Sequence, residues 1–416
     1  MGDTIWRIMK RPSGVVILYL FGFLKSLQFF GALSVPYFLP RIGLGYGRMF
    51  LLEALFSGAM MALEIPTGVV ADRWGRKVSL FWGSVLMGLG FLAFGFVRSF
   101  GLLAAAEIIC ALGMTLVSGA DSALLHETAR SELGDRGPEA EGAMAKVFSR
   151  YHAACAAGLF VSFPLGSLFV GSGLMEYRRA LGFVFVLTAL SFSLAAASIL
   201  GLKEAARPTK REGFLRHGIE GCRIVLRTPR LRSFGINYAV ISSLTFFMFW
   251  FYQSILDREG VPVAWYGIVG AGYNLGATLL LAASPRIRKV LGENRALFVS
   301  SLLPGLLFLS AGLFRGLGIA LAAIFGVTML KLFRAPLLSA SMNSLMDDGH
   351  RATALSGISM AERVLIALLY PIVGMAADWS LEACLAGLGI LTLAMSFAVR
   401  LKDDGHGRGK PADIPS

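Results

Sequence analysis

Residues 68–77, GVVADRWGRK, place four charged side chains within ten positions. The chain around this stretch is strongly apolar, because 56% of its 416 residues are hydrophobic and only 16% are charged. Soluble globular proteins do not have that balance, so the composition predicts a membrane protein. In such a chain a charged stretch marks a loop, and the apolar runs on either side of it decide the fold.

Apolar runs of about 20 residues, the length that crosses a hydrocarbon core of about 30 Å as a helix, recur along the whole sequence. We identify twelve of them, called spans 1 to 12: 15–39, 46–70, 78–98, 102–125, 147–170, 180–202, 233–256, 264–284, 296–314, 318–342, 354–377 and 382–401. Span 1 is interpreted as a retained helix rather than a signal peptide, because it is long and ends in PYFLP instead of a small-residue cleavage site. The pattern predicts an all-α polytopic membrane protein with twelve transmembrane helices.

The basic residues are concentrated in the loops on one side of these spans. Together with both termini, loops 2/3, 4/5, 6/7, 8/9 and 10/11 hold 28 Lys and Arg, whereas the opposite loops hold seven. By the positive-inside rule both termini are expected in the cytoplasm, with GVVADRWGRK at the cytoplasmic end of span 2. This orientation accounts for the net charge of +13 without nucleic acid as a partner.

The sequence matches itself at an offset of 217 residues. Over residues 24–125, without a gap, 25 of 102 aligned positions are identical; SLQFF at 26–30, for example, aligns with SLTFF at 243–247. Parallel repeats of this kind build one class of membrane transporter, in which the substrate site lies near the midplane between the halves. We therefore divide the chain into a six-helix half (1–202), a cytoplasmic linker (203–232), a second six-helix half (233–402) and a tail expected to be disordered (403–416).

The linker between the halves contains nine Lys and Arg. Phe214, Gly218, Cys222 and Val225 recur there at helical spacing, which favours a short amphipathic helix at the inner membrane surface. The alternative is a basic linker whose role is to enforce topology.

The repeat separates what the fold requires from what function requires. Small residues, glycines and loop arginines recur in both halves, but the charges embedded in the spans do not. Each such charge costs about 2.5 to 3.5 kcal/mol to insert, so a charge that one half does without is a candidate for function. The unmatched charges are Lys25, Glu53, Glu64, Glu107, Asp121, Lys331 and Arg334.

Two of the basic residues are expected near the middle of the membrane. At about 1.5 Å per residue, Lys25 and Lys331 lie roughly 15 and 20 Å into their spans. Gln28 and Arg334 each follow one helical turn later, so each shares a face with its lysine. We predict a substrate-binding set that comprises Lys25, Gln28, Glu107, Trp250, Gln253, Lys331 and Arg334.

Glu53 and Glu107 are the predicted proton carriers, because a medium of low dielectric constant disfavours an ionised carboxylate and lets it exchange a proton near neutrality. The alternative is that the embedded charges only pair with one another, for example Glu107 with Lys331.

A second alternative concerns the stretch FFMFWFYQ at 246–253, which supplies Trp250 and Gln253. Aromatic residues near a helix end commonly face lipid, whereas here they could also form the wall of a cavity for flat or cationic ligands.

The opening stretch resembles a known family signature. Residues 68–77 match the pattern G-x-x-x-D-R-x-G-R-K of the loop between helices 2 and 3 in the major facilitator superfamily. The resemblance implies a cytoplasmic gate in which Asp72 meets the N-terminus of helix 11 and Arg76 pairs with Asp121 or Glu127. The full predicted gate set is Gly68, Asp72, Arg73, Gly75, Arg76, Lys77, Asp121 and Glu127.

Further motifs resemble the bacterial drug-efflux-like (drug/proton antiporter) branches of that superfamily, namely EIPTG at 64–68 and RATALS at 351–356. Two positions depart from those branches. Ile109 stands where the antiporters usually carry an arginine, and FPLGS at 163–167 replaces their usual G-P-x-x-G-G.

The sequence therefore predicts a secondary active transporter that works by alternating access, with proton-coupled efflux of small amphipathic, drug-like compounds as the leading function. The alternative is a proton-coupled transporter of an anionic metabolite bound by Lys25, Lys331 and Arg334. A receptor without transport activity, or a membrane enzyme, on the same fold is the remaining possibility.

The expected partners are a small-molecule substrate, protons and membrane lipid, in the inner membrane of a bacterium, and the resemblance implies a monomer. Enzymatic activity, a cofactor and a metal are not expected. There is no nucleotide-binding motif, and the cysteines and histidines lack the spacing of a disulfide framework or a metal site.

Overall fold

The computed structural model describes residues 13–134, 138–202, 214–343 and 348–399. Among these residues all regular structure is helical, which confirms the predicted all-α polytopic fold. The predicted tail and the first part of the linker lie outside the described residues, so their prediction stands untested.

Eight α-helices precede the linker. They are α1 (Gly14–Lys25), α2 (Ser34–Pro36, continued by a π-helix at Tyr37–Ile42), α3 (Tyr46–Trp74), α4 (Arg76–Phe96), α5 (Phe100–Val117), α6 (Ala120–Leu133), α7 (Pro138–Gly171) and α8 (Tyr177–Leu200).

Nine α-helices form the rest of the described chain. They are α9 (Phe214–Arg227), α10 (Pro229–Phe246), α11 (Met248–Arg258), α12 (Tyr266–Ala282, after a 3₁₀ turn at Val263–Trp265), α13 (Ser284–Leu291), α14 (Glu293–Leu313), α15 (Leu317–Asn343), α16 (Asp348–Trp379) and α17 (Leu381–Ala398).

Each predicted span coincides with helical structure, although not every span is one straight helix. Judged by length and hydropathy over the described residues, nine helices can cross a membrane, or ten if the bent pair of α12 and α13 forms one span. Span 1 is outside this count because it is broken, and its first part, α1, has only 12 residues. Span 2 lies within α3, which has 29 residues.

Glycine ends the helices where the two repeat-related loops turn. Gly75 separates α3 from α4 with a φ of 99°, and Gly292 separates α13 from α14 with a φ of 75°. Both values lie in the left-handed region, which residues with a Cβ rarely adopt. This explains why Gly75 is conserved in the internal repeat although the charges beside it are not.

The chain forms two compact units. The first comprises Met1–Leu33 and Leu55–Gly213, and the second comprises Ser34–Ala54 and Phe214–Ser416. The segment Ser34–Ala54 belongs to the first sequence repeat, yet it packs with the second unit. Its two boundaries fall in the break of span 1 and inside α3.

The linker helix is present as α9 and is part of the second unit. It packs closely on α16, because a Cβ added to Gly221 would lie 1.8 Å from the Thr353 carbonyl oxygen. The Cys222 thiol contacts the Gly357 carbonyl oxygen at 3.1 Å. Glycines at both contact points let the two backbones approach. Contacts with α16 therefore hold α9 in place, in addition to its predicted contact with the inner membrane surface.

Candidate functional site

Span 1 is interrupted at the depth where its lysine lies. Helix α1 ends at Lys25, and residues 26–33 form turns and irregular backbone before α2 begins at Ser34. Non-helical backbone at membrane depth is stable only where protein or a water-filled cavity satisfies its polar groups.

Hydroxyl groups on two other helices of the first unit provide those partners. The Gln28 amide donates to Ser162 Oγ at 3.1 Å, and the Phe29 amide donates to Thr188 Oγ1 at 3.1 Å. The Ser191 hydroxyl donates to the Leu27 carbonyl at 3.0 Å. Hydroxyl groups of α7 and α8 therefore satisfy backbone groups of the break, in addition to the local bonds of its turns.

Small residues on α7 make room for the broken segment. A Cβ added to Gly158 would lie 2.5 Å from the Phe23 carbonyl oxygen, and one added to Gly166 would lie 2.0 Å from the Phe29 carbonyl oxygen. Gly158, Ser162 and Gly166 are spaced four residues apart and so share one face of α7. This face is shaped to receive span 1 on both sides of its break.

Span 4 is also interrupted next to a charged residue. Helix α5 ends at Val117, Gly119 has a φ of 77°, and α6 begins at Ala120 with Asp121 in its first turn. An acid at a helix N-terminus and a base at a helix C-terminus are both stabilised by the helix dipole. Asp121 in α6 and Lys25 at the end of α1 occupy those two favourable positions.

These two helix ends meet through their charged side chains. Lys25 Nζ forms a salt bridge with Asp121 Oδ2, and the Tyr151 hydroxyl donates to the same oxygen at 2.8 Å. The ammonium group also lies 5.5 Å from the ring centroids of Phe21 and Tyr151. Only 18% and 15% of the Lys25 and Asp121 side chains are exposed, so the pair is largely withdrawn from solvent. We call Lys25, Asp121 and Tyr151 the first-unit cluster.

The other predicted members of the first half belong to three different segments of the chain. Gln28 takes part in the break through its backbone amide. Glu107 on α5 is 7% exposed. Glu53 lies on α3, within the segment that belongs to the second unit, and is partly buried.

In the second unit, Arg334 is a buried structural residue. It is 1% exposed, and its guanidinium group donates to the Leu297 carbonyl at 2.8 Å and to Ser300 Oγ at 3.2 Å. It also donates to Asn237 Oδ1. These bonds join α15 to α14 and α10, so this arginine uses its two terminal nitrogens to hold helices together.

Lys331, one turn earlier, has different surroundings. Its ammonium group lies 4.4 Å from the centroid of the Phe246 ring. Its charge also interacts with that of Glu362 on α16, which in turn interacts with the Tyr238 hydroxyl. All four side chains are partly exposed. Lys331 and Arg334 thus share a helix but not a site.

The aromatic stretch at 246–253 is mostly buried. Trp250, Tyr252 and Gln253 are 6%, 0% and 0% exposed. The Gln253 amide oxygen accepts a hydrogen bond of 2.9 Å from the Val35 amide. These polar-tipped residues therefore pack within the second unit, whereas Phe246 and Phe249 keep partly exposed faces.

The charged loop at residues 68–77 is held within the first unit by contacts of Arg76 and Lys77. Arg76 forms a salt bridge with Glu127, which is the second of the two partners that we considered. The other, Asp121, is instead bound to Lys25. Lys77 Nζ donates to the carbonyls of Leu200 and Leu202 at 2.9 and 2.6 Å.

Three further residues belong to the predicted gate, namely Gly68, Asp72 and Arg73. Arg73 is exposed, and a Cβ added to Gly68 would meet nothing within 4 Å among the described atoms. The side chain of Asp72 lies outside the described part of the chain, so its predicted contact with helix 11 stays a prediction.

A carboxylate on α16 binds the start of α3. Asp378 accepts hydrogen bonds from the amides of Tyr46 at 2.6 Å and Gly47 at 2.8 Å. The Tyr46 hydroxyl donates to Ser254 Oγ at 2.7 Å. These bonds anchor the segment Ser34–Ala54 within the second unit, and no sequence argument above anticipated them.

Two residues of the site, Tyr151 and Ser162, were missed by sequence reasoning that weighed only charges. The usable signal was the four-residue spacing of Gly158, Ser162 and Gly166 in span 5, which is typical of close helix packing in membranes. Tyr151 has no such signal, because a tyrosine near a span end is common and nothing local marks it as a partner of Asp121.

Comparison with known proteins identifies the family. The family model of the Major Facilitator Superfamily matches residues 15–371. The chain belongs to the Major Facilitator Superfamily. Membership makes it a multi-pass membrane protein and supports a secondary transporter rather than an enzyme. The match is to the superfamily as a whole and does not select its drug-efflux branches. A search of curated protein sequences gave no match.

Solved structures of other transporters share the fold of this superfamily member. The nucleoside transporter NupG is 12% identical with a TM-score of 0.74, and the match covers 93% of this chain and 97% of that one. A POT family transporter in complex with 5-aminolevulinic acid is 13% identical (TM-score 0.70; 93% and 95% covered). A bacterial homologue of the human lysosomal transporter Spinster is 14% identical (TM-score 0.67; 93% and 95% covered). At these identities the likeness concerns the fold alone.

Proposed function

We propose that this superfamily member is a proton-coupled secondary transporter that exports small amphipathic compounds, with Asp121 as the proton-binding carboxylate. The observation that carries the proposal is the salt bridge of Lys25 and Asp121 at the ends of two interrupted helices. Interrupted helices are a common device for binding substrates and coupling ions in transporters.

Proton binding at Asp121 would change the balance of charge in the first-unit cluster. Neutral Asp121 no longer compensates Lys25, and an uncompensated charge in a poorly solvated place is unfavourable. The Tyr151 hydroxyl can stay in contact, because a hydroxyl group both donates and accepts hydrogen bonds. Protonation therefore loosens the link between α1 and α6 and favours their rearrangement.

The surroundings of the basic residues favour amphipathic compounds over an anionic metabolite. The anion hypothesis needs Lys25, Lys331 and Arg334 as free cations. Lys25 is paired with Asp121, and the Arg334 guanidinium donates to three groups of the second unit. Only Lys331 remains, and the charge of Glu362 is already beside it.

Residues 68–77 take the role of a gate in this proposal. The Arg76 salt bridge to Glu127 and the Lys77 bonds to the end of α8 fix the start of α4 within the first unit. In this proposal Asp72 and Arg73 contact other parts of the transporter as it changes state. Glu53 and Glu107 are kept as alternative proton carriers.

The test uses the purified full chain in liposomes that contain the pH dye pyranine and have an acidic interior. Ethidium, a cationic amphipath, and salicylate, an organic anion, are added outside in separate runs. We expect ethidium to raise the internal pH, because its entry is coupled to proton exit, and we expect Asp121→Asn to abolish that rise.

Glu176→Gln is the matched control, since Glu176 forms an exposed pair with Arg179 and its loss should leave the rise unchanged. A rise with salicylate alone would establish the anion alternative. Absence of any rise with the wild-type chain, or an unaltered rise with Asp121→Asn, would overturn the proposal. In the second case Glu53→Gln and Glu107→Gln identify the carrier.

A further inference from the structure

The partly exposed side chains around Lys331 form a site that is occupied by the ammonium group of Lys331. The Lys331 ammonium lies 4.4 Å from the centre of the Phe246 ring, a distance typical of a cation–π contact. The Phe246 ring is supported by Phe249, stacked at 6.2 Å, and by Tyr370, edge-on at 6.1 Å. The ring is thus fixed with its π-face toward a positive charge.

The carboxylate of Glu362 also belongs to this site. Glu362 interacts electrostatically with Lys331 and with the Tyr238 hydroxyl. Its backbone is also fixed, because the Ser243 hydroxyl donates to the Glu362 carbonyl at 3.2 Å. An aromatic face and a carboxylate that both interact with one positive charge are the groups that recognise an organic cation.

Exposure distinguishes these residues from the rest of the aromatic stretch. Phe247 and Phe251 are fully buried, whereas Phe246 and Phe249, one helical turn apart, share a partly exposed face. Lys331 and Glu362 are also partly exposed. These four side chains thus keep accessible surface, unlike the fully buried Phe247 and Phe251.

We propose that Phe246, Glu362 and Tyr238 form a binding site for the cationic group of an amphipathic substrate, and that the Lys331 ammonium occupies this site when no substrate is bound. The inference rests on the proposed transport function and names the substrate class: an organic cation that carries an apolar, flat part. Lys331 acts as a tethered competitor, which leaves the site when a substrate cation takes its place.

The competitor role makes a prediction that a purely structural ion pair does not make. Removal of Lys331 should improve binding of a cation, because the site is vacated and Glu362 is left without a counter-ion. If Lys331 instead bound anionic substrates, its removal would weaken anion binding and leave cations without a gain. The sign of the change therefore decides between the two roles.

The experiment measures binding of radiolabelled tetraphenylphosphonium and tetraphenylborate to the full chain in detergent, without any gradient. These two ions have the same shape and opposite charge. We expect Lys331→Met to tighten tetraphenylphosphonium binding about threefold to tenfold and Glu362→Gln to weaken it about tenfold. In the Lys331→Met background, Phe246→Leu should reverse the gain.

Lys289→Met, which removes an exposed lysine of the same unit, is the matched control and should leave binding unchanged. Thermal unfolding of each variant shows that it is folded. Unchanged or weaker phosphonium binding by Lys331→Met, or loss of borate binding by that variant, would overturn the inference. Because this assay needs no proton movement, its result is independent of Asp121, so failure of this site and failure of the coupling proposal are distinguishable.

Discussion

Spans 1 and 7 have almost the same local sequence at repeat-related positions and different backbones. SLQFF at 26–30 lies in the broken segment, whereas SLTFF at 243–247 is helical up to Phe246, and Phe247 alone separates α10 from α11. In span 7 the Ser243 and Thr245 hydroxyls donate to carbonyls one turn back in the same helix. In span 1 the Gln28 amide donates to the Ser26 carbonyl at 2.9 Å and also to Ser162 on α7, and the Phe29 amide donates to Thr188 on α8.

The difference shows that tertiary partners, and not the local sequence, decide where a transmembrane helix opens. Each amide freed from a helix must find another acceptor in the membrane. The face of α7 that carries Gly158, Ser162 and Gly166 supplies space and an acceptor, and α8 supplies Thr188. The break lies beside Lys25. The half of the chain whose first span is interrupted is therefore also the half that has a charged residue at this position.

The largest expected effect comes from filling the space that the broken span occupies. Gly166→Val adds a branched side chain where a Cβ alone would lie 2.0 Å from the Phe29 carbonyl oxygen. Overpacking typically costs about 1 to 3 kcal/mol and more where backbone must move, so we expect a large drop in the thermal unfolding midpoint in detergent.

Gly101→Val is the matched control, because a Cβ at Gly101 would meet nothing within 4 Å among the described atoms. The control should unfold near the wild-type temperature. If both variants unfolded alike, the close contact between α7 and the break would not contribute to stability.

The fold itself was predictable from sequence because it depends on features that composition and spacing record. Apolar length gives the spans, and the 217-residue repeat predicts two halves, although Ser34–Ala54 of the first half packs with the second unit. Gly75 and Gly292, both with positive φ, show that the repeat also marks a required turn. The break of span 1 could not be predicted this way, since SLQFF and SLTFF are locally equivalent.

The site was predictable only in part. The rule that unmatched charges are functional selected Lys25 and Asp121, but it placed Asp121 with the loop at 68–77 and Arg334 with the substrate. The first assignment followed from the family resemblance and the second from the helical spacing of Lys331 and Arg334. Asp121 instead contacts a helix end 96 residues earlier, and Arg334 contacts Asn237 and α14. Partners so distant in sequence are set by packing.

A second, smaller effect is expected from separating the charges of the first-unit cluster. Lys25→Met leaves Asp121 without its counter-ion in a largely enclosed place, which costs about 3 kcal/mol when a buried pair loses one partner, and less here because the pair is partly exposed. The double variant Lys25→Met/Asp121→Asn removes both charges and should recover most of the loss. Thermal unfolding of the single and double variants measures the coupling; additive losses would show that the two charges do not stabilise each other.

The smallest expected effect isolates the hydroxyl that holds the break. Thr188 and Thr245 both donate to a carbonyl four residues earlier, at 2.9 and 2.7 Å. Only Thr188 also accepts the freed amide of Phe29. Thr188→Val therefore leaves a part-buried amide without its acceptor, which costs about 1 to 3 kcal/mol, whereas Thr245→Val loses only a donor that its helix does not need.

The two valine variants have the same shape change, so their difference in unfolding midpoint reports the Phe29 bond alone. Amide hydrogen exchange at Phe29 adds a local measurement, and we expect it to accelerate in Thr188→Val and to stay slow in Thr245→Val. Equal midpoints together with unchanged exchange at Phe29 would mean that span 1 opens for a reason other than the acceptors on α7 and α8. In that case the sequence of residues 26–33 itself, and not its tertiary partners, would carry the break.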